Sequence, residues 1–172
     1  MEIRRAKLQD LETIMEIYAH ARDFMKEHGN PRQWGMKNWP PKELIRQDIE
    51  RGTSYVCEEE GQVAAVFYFE QGENIEPCYN TIEGAWIGGS SYGAVHRIAS
   101  ANTVKGAGTF CINWAFAQCG HLRMDTHGDN KVMQNLLKKL GFTYCGIIYV
   151  KEEQDPRLAF EKIGTVQGEG KK

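Results

Sequence analysis

The stretch "AVHRIASANTVKGAGTFCINWAFAQCGHLRMDTH" (residues 94–127) limits the fold more than any other part of the chain. It opens as a strand, "AVHRIASA", and passes through the glycine-rich "NTVKGAG". From Gly106 on, Ala107, Phe110, Cys111, Trp114 and Ala115 recur at helical spacing. "HLRMDTH" then reads as a strand ending in a turn. A helix that carries the chain from one strand to the next is a crossover, which a purely antiparallel meander does not need.

The remaining segments extend this pattern. "EIRR" predicts a short first strand, and Asp10 an N-cap before Leu11, Ile14, Met15 and Tyr18, the apolar stripe of a helix running to about Lys26. "HGNP" stops that helix; "RQWGMKNWPP" is an irregular linker, and Pro41 suits the first turn of a second helix, "PKELIRQDIERG". "TSYVCEE" and "QVAAVFYFE", joined at "EEGQ", predict a hairpin. Residues 71–92 read as an excursion in which "IEGAWI" is either strand or loop and "GGSSYG" is loop. Asn130 is placed to cap a helix with Met133, Leu136, Leu137 and Leu140 on its stripe and Gly141 at its end. "FTYCGIIYV" and "RLAFEKI" are two closing strands. Hairpin strands early and helix crossovers late predict an α/β fold: a central twisted mixed sheet with helices on both faces. One domain over 1–163 is expected, with 164–172 a frayed tail too poor in apolar residues to pack.

Composition removes several classes of function. Acidic and basic residues number 23 and 21, for a formal net charge of −2, so nothing asks for nucleic acid through a broad basic face. The longest strongly apolar run, "VAAVFYF", is far too short to cross a bilayer, and the charged start "MEIRRAKLQD" does not read as a secretory signal. The 5 cysteines form no CxxC pair and their odd number closes no disulfide set, which predicts reduced thiols and a cytoplasmic location. The histidines are scattered, and no metal site is expected.

The glycine turn admits two readings. Bare backbone followed by a helix N-terminus is suited to phosphate, with Lys105 adding a point charge; it is equally suited to close helix–strand packing. A Walker A loop needs its lysine after the glycines, and here Lys105 precedes them. A dinucleotide fingerprint needs a third glycine that "GAGTFC" lacks.

The pattern that does match is that of the Gcn5-related N-acetyltransferase (GNAT) superfamily, which the sequence resembles over nearly its whole length. The resemblance rests on a strand followed by Q/R-x-x-G-x-G/A, here Thr103-Val104-Lys105-Gly106-Ala107-Gly108. It rests also on "MDTHGDNKVMQNLLKKLGF", in which an asparagine opens a helix ending in "GF". It implies acetyl-CoA as co-substrate, with the backbone amides of Lys105, Gly106, Ala107, Gly108 and Thr109 on the pyrophosphate. It also implies the strand Ile98, Ala99 and Ser100 along the pantetheine, and Asn130 beside it. Thr103 departs from the family's Gln or Arg. Leu137 stands where the family often carries a tyrosine as general acid, for which Tyr144 is the substitute candidate.

The family reaction is direct attack of an amine on the thioester within a ternary complex. A base must free that amine, and His127, near Asn130, and Glu83, in the excursion, are the candidates. Each has a plain alternative, a solvated turn residue. His96 reads as a core or lining residue, and Cys145, without a positioned histidine, as an inert thiol and not a nucleophile. Trp34, Trp39 and Trp86 fall in segments that surround the acceptor in this fold, so Trp34 and Trp86 are candidates for its aromatic wall, the alternative being core edge. The expected acceptor is a small-molecule or peptide amine, and a homodimer is compatible with such folds. Two other classes are distinguishable: a non-catalytic CoA-binding or interaction module, and a nucleotide-binding protein that would take ATP or NAD and ignore CoA.

Overall fold

The computed structural model describes residues 1–150 and 155–164, so the expected tail beyond Gly164 lies outside the described residues. In chain order the strands are β1 (Glu2–Arg5), β2 (Ser54–Glu59), β3 (Gln62–Glu73), β4 (Glu83–Gly84), β5 (Ser91–Ser100), β6 (His121–His127), β7 (Thr143–Val150) and β8 (Asp155–Ile163). The helices are α1 (Leu11–Glu27), α2 (Lys42–Glu50), α3 (Ala107–Cys119) and α4 (Lys131–Lys139). Among the described residues the strands form one mixed sheet in the order β1-β2-β3-β5-β6-β8-β7-β4. The predicted sequence of elements holds. The excursion differs from expectation: β3 continues to Glu73, Pro77–Thr81 forms a 3-10 turn, and β4 is only two residues. β5 begins at Ser91, inside the expected loop, because Tyr92 is buried among Tyr79, Ala94, Ile148 and Ala159.

The chain forms two compact units, Met1–Phe69 with His96–Cys111, and Glu70–Val95 with Ile112 onward. In the first unit, β1, β2 and β3 make an antiparallel ladder with Ile3 opposite Cys57 and Val56 opposite Val66. Glu60 and Gly61, at φ 50° and 76°, form the two-residue turn that the right-handed twist of the paired strands favours. α1 buries Leu11, Ile14, Ile17, Tyr18 and Ala21, one stripe at helical spacing, in a core shared with Trp34, Ile45, Ile49, Val56, Val66 and Ala99. Asp10 stands at the N-cap position of α1, yet its carboxylate does not cap that helix. It accepts instead from the Lys7 N–H at 2.7 Å and from Arg4 at 2.8 and 2.9 Å, because the fork of Arg4 offers charge-assisted bonds.

In the second unit, β5 and β6 pair in parallel at Gly93–Leu122 and Ala94–Arg123, while β6–β8 and β7–β8 are antiparallel. β4 approaches β7 so closely that a Cβ on Gly84 would lie 2.2 Å from the Cys145 carbonyl oxygen, and one on Gly146 would lie 2.2 Å from that of Glu83. Only glycines permit that approach. A buried charge cluster sits on this sheet. Glu161 accepts from Arg123 Nε (2.8 Å) and His121 Nε2 (2.6 Å), and from the amides of Ile87 (2.6 Å) and Gly88 (3.2 Å). The guanidinium of Arg123 lies 4.2 Å from the ring centres of both Trp86 and Tyr92, and donates to the carbonyls of Gly88 (3.1 Å) and Gly89 (2.8 Å). The cluster thereby fastens the loop before β5 to β6 and β8.

Burial alone would push the Glu161 carboxyl up, but its four donors outweigh burial and hold it below the ordinary glutamate range. Its contribution to stability is therefore complete above that range and is lost as the pH falls below it. Arg123→Ala, which strands a buried carboxylate, should cost about 3 kcal/mol by chemical denaturation at neutral pH. Glu161→Gln should flatten the loss of stability that the wild type shows as the pH drops below about 4.5.

Candidate active site

The site predicted from sequence begins at the end of β5, within the first unit. The N–H of Ala101 donates to the Ala64 carbonyl at 2.9 Å, after which the chain leaves β3. Asn102 takes a left-handed conformation (φ 56°), fixed by its N–H on Ser100 Oγ at 3.0 Å and its amide on His20 Nε2 at 3.2 Å. Gly106 is left-handed at φ 83°, and its carbonyl receives the first bond of α3, from the Phe110 N–H at 2.9 Å. The N–H groups of Ala107, Gly108 and Thr109 precede that ladder and have no acceptor within the helix. Among the described residues, a Cβ placed on Gly106 or on Gly108 would meet nothing within 4 Å beyond the adjoining backbone, so both glycines leave the chain open on that side. Lys105 is exposed, whereas Ala107 is buried and anchors the turn to the core. An open turn, three leading amides and a flanking ammonium fit a pyrophosphate, which needs converging N–H donors and positive potential.

Ile98, Ala99 and Ser100 lie on β5 immediately before the turn, Ala99 buried and the others half-buried. The strand is broken just ahead of them by Arg97, a non-glycine residue at φ 50°. Its guanidinium is bound to Asp48 on α2 at 2.8 and 3.0 Å and lies 4.6 Å from the ring centre of Tyr68 on β3. Its carbonyl accepts from the buried Tyr18 hydroxyl at 2.7 Å. Burial pushes the Asp48 carboxyl above its ordinary range, against the pull of Arg97. Sequence reading missed this cluster, although one signal was present. Asp48 falls on the apolar stripe of α2, between Ile45 and Ile49, where a carboxylate needs a buried partner.

Apart from Trp34, the remaining candidates belong to the second unit. Asn130 caps α4 through its Oδ1, which accepts from the Met133 N–H at 3.0 Å, as expected. His127 ends β6 and is buried. Its Nδ1 accepts from the Asp129 N–H at 3.0 Å, its Nε2 is 3.5 Å from Asp155, and its carbonyl accepts from the Asn130 N–H at 3.0 Å. The lone pair that a base would use is thus engaged in holding the β6–α4 turn. Leu137 is fully buried in α4, and Gln134 is buried beside it, donating to the carbonyls of His127 (3.2 Å) and Gly128 (2.9 Å).

Glu83 is exposed on β4 and accepts from the Tyr149 hydroxyl at 3.0 Å. Tyr144 is exposed on β7, edge-on to Phe160 at 5.8 Å. Burial pushes the Cys145 thiol up, opposite to what a nucleophilic cysteine requires. Trp34 is buried against Tyr18 in the core of the first unit. Trp86 is half-buried, donates to the Tyr79 carbonyl at 2.8 Å and stacks under Arg123. Both indoles are engaged in packing, the core-edge alternative.

The strand order, the open glycine turn closing β5 and the asparagine-capped helix after β6 define an acyltransferase fold of the GNAT type. No protein-family model and no curated protein matches the chain by sequence. Solved structures do match. A GNAT family acetyltransferase from Streptococcus agalactiae is 29% identical, with a TM-score of 0.81 and 95% of each chain covered. A GNAT family acetyltransferase from Listeria monocytogenes is 20% identical (TM-score 0.66; 94% of this chain and 93% of that one). A ribosomal-protein-alanine N-acetyltransferase from Brucella melitensis is 18% identical (TM-score 0.64; 95% and 100%), a likeness of fold. The chain therefore has the fold of the GNAT acetyltransferases over about 95% of its length, as the sequence resemblance implies.

Substitution at the two turn anchors should separate local strain from the rest of the fold. Gly106→Ala should destabilise the protein by about 1 kcal/mol, because alanine resists a left-handed φ. Asn130→Ala should cost about 1 kcal/mol through the lost cap. Thermal unfolding checks both.

Proposed function

We propose that the chain is an N-acetyltransferase that moves the acetyl group of acetyl-CoA to a primary amine of a small molecule or peptide. The observation that carries this reading is the open turn, with the amides of Ala107, Gly108 and Thr109 ahead of the helical ladder and, among the described residues, nothing beyond the adjoining backbone within 4 Å of where a Cβ on Gly106 or Gly108 would lie. The acetyltransferase neighbours add support. Lys105 supplies charge where the family's Gln or Arg is replaced by Thr103.

Acetyl transfer proceeds in a single ternary complex. The lone pair of a neutral amine attacks the thioester carbonyl carbon, and the resulting oxyanion is met by backbone N–H in the Ile98–Ser100 strand. Collapse breaks the C–S bond and expels CoA as thiolate, which takes up a proton, while the amine nitrogen loses one. No protein acyl group forms, in keeping with the raised Cys145 thiol. Glu83, an exposed carboxylate, is the base candidate, and Tyr144, an exposed phenol, the acid candidate. His127 serves the turn that seats Asn130. The five free thiols suit a reducing, cytoplasmic setting.

Calorimetric titration should show micromolar acetyl-CoA binding and none with ATP or NAD. Gly106→Asp should abolish it, since a carboxylate would face the pyrophosphate; unchanged affinity would discard the assigned turn. Lys105→Ala should weaken CoA by about 1 kcal/mol and leave pantetheine, which lacks the pyrophosphate, untouched. Steady-state assay over a panel of amines then separates an enzyme from a module that binds CoA without consuming it. His127→Ala should lower the melting temperature while leaving the rate constant at saturating amine within about threefold of wild type; a hundredfold loss, the scale of general-base catalysis, would restore it as base.

A further inference from the structure

A strand residue other than glycine leaves the pleat for the left-handed region only where its surroundings hold it there. Arg97 does so at φ 50° in the middle of β5, and three separate elements of the first unit hold it. α1 contributes Tyr18, 1% exposed, whose hydroxyl donates to the Arg97 carbonyl at 2.7 Å. α2 contributes Asp48, 4% exposed, whose Oδ2 receives both Nε (3.0 Å) and Nη2 (2.8 Å) of Arg97. β3 contributes the ring of Tyr68, over which the guanidinium lies at 4.6 Å. Side chain and carbonyl are thus fixed independently.

The carbonyl bond has a direct geometric consequence. In a trans peptide the C=O of one residue and the N–H of the next point in opposite directions. With the Arg97 oxygen drawn to Tyr18, the Ile98 N–H is directed to the other side of the strand, away from α1. That N–H opens the segment assigned above to the thioester.

We propose that Tyr18, Asp48 and Arg97 form a positioning latch that maintains the left-handed break in β5 and thereby aims the Ile98 N–H at the thioester carbonyl; this rests on the acetyl-CoA reading above. None of the three touches the reacting atoms. The pyrophosphate turn lies beyond Ser100, so the latch acts on the acyl end of the cofactor and not on its phosphates. Its removal should accordingly spare affinity and impair turnover, a split that general loosening of the fold would not produce.

The test compares wild type with Tyr18→Phe, which deletes one hydroxyl from a buried ring. Arg97→Gly is the second variant, since it keeps a left-handed backbone without strain but loses both the Asp48 and the Tyr68 contacts. Three quantities are read: acetyl-CoA affinity by calorimetry, turnover at saturating amine, and hydrogen exchange of the Ile98 amide by NMR. Tyr18→Phe should leave the dissociation constant within twofold, lower turnover by about tenfold, a fraction of the loss seen when an oxyanion donor is deleted outright, and speed Ile98 exchange. Arg97→Gly should behave in the same direction. Unchanged turnover in both variants, or affinity and turnover falling by the same factor, would overturn the latch. If the wild type binds no acetyl-CoA, the functional reading fails. Ile98 exchange still decides the latch, since unchanged exchange in Tyr18→Phe refutes it and faster exchange upholds the hold on the strand.

Discussion

A β-strand satisfies its backbone through its neighbours, so a break in the middle of one has to be compensated by something outside the ladder. In this protein the break is at Arg97, and the compensation is a hydroxyl, a carboxylate and an aromatic face drawn from α1, α2 and β3. The residues that follow, Ile98–Ser100, lead straight into the open glycine turn. The local economy is unusual. The same helices that build the apolar core of the first unit, through Ile14, Ile17, Ile45 and Ile49, also carry the two polar side chains that shape the strand.

Both buried ion clusters follow one physical rule. A carboxylate withdrawn from water gains little from a single cation, since desolvation consumes most of the Coulombic gain. Glu161 therefore collects four donors and is held below its ordinary range, whereas Asp48, bound chiefly by Arg97, is left above it. What such clusters supply is placement. Arg123 and Glu161 fasten the loop carrying Ile87–Gly89, and Asp48 fastens Arg97. Hydrophobic packing could not specify either backbone path, because it is indifferent to where a carbonyl points.

Much of the fold was legible in the sequence because it rests on periodicity and punctuation. The α1 stripe, the Glu60–Gly61 hairpin, the Asn130 cap and the Gly141 stop are all local signals, and each is observed where expected. The glycine turn was legible for the same reason. What escaped was non-local. Nothing near Arg97 in sequence shows that Asp48 and Tyr18 will meet it, and the length of β5 was underestimated because the burial of Tyr92 depends on Tyr79 and Ile148. The indoles of Trp34 and Trp86 illustrate the converse: loop tryptophans suggest a ligand wall, yet Tyr18 packs against one and Arg123 and Tyr79 against the other. His127 is a base candidate in the sequence because it lies near Asn130; it is the last residue of β6, and its ring nitrogens face the Asp129 amide and Asp155.

The proposed function stands or falls on the bare backbone from Lys105 to Thr109 as the seat of the pyrophosphate of coenzyme A. The most direct measurement is an NMR titration of the 15N-labelled protein with coenzyme A, following each backbone amide. The largest shifts should fall on Ala107, Gly108 and Thr109, and pantetheine, without the pyrophosphate, should leave those three unmoved. Binding of coenzyme A that perturbs other amides while these stay still would contradict it.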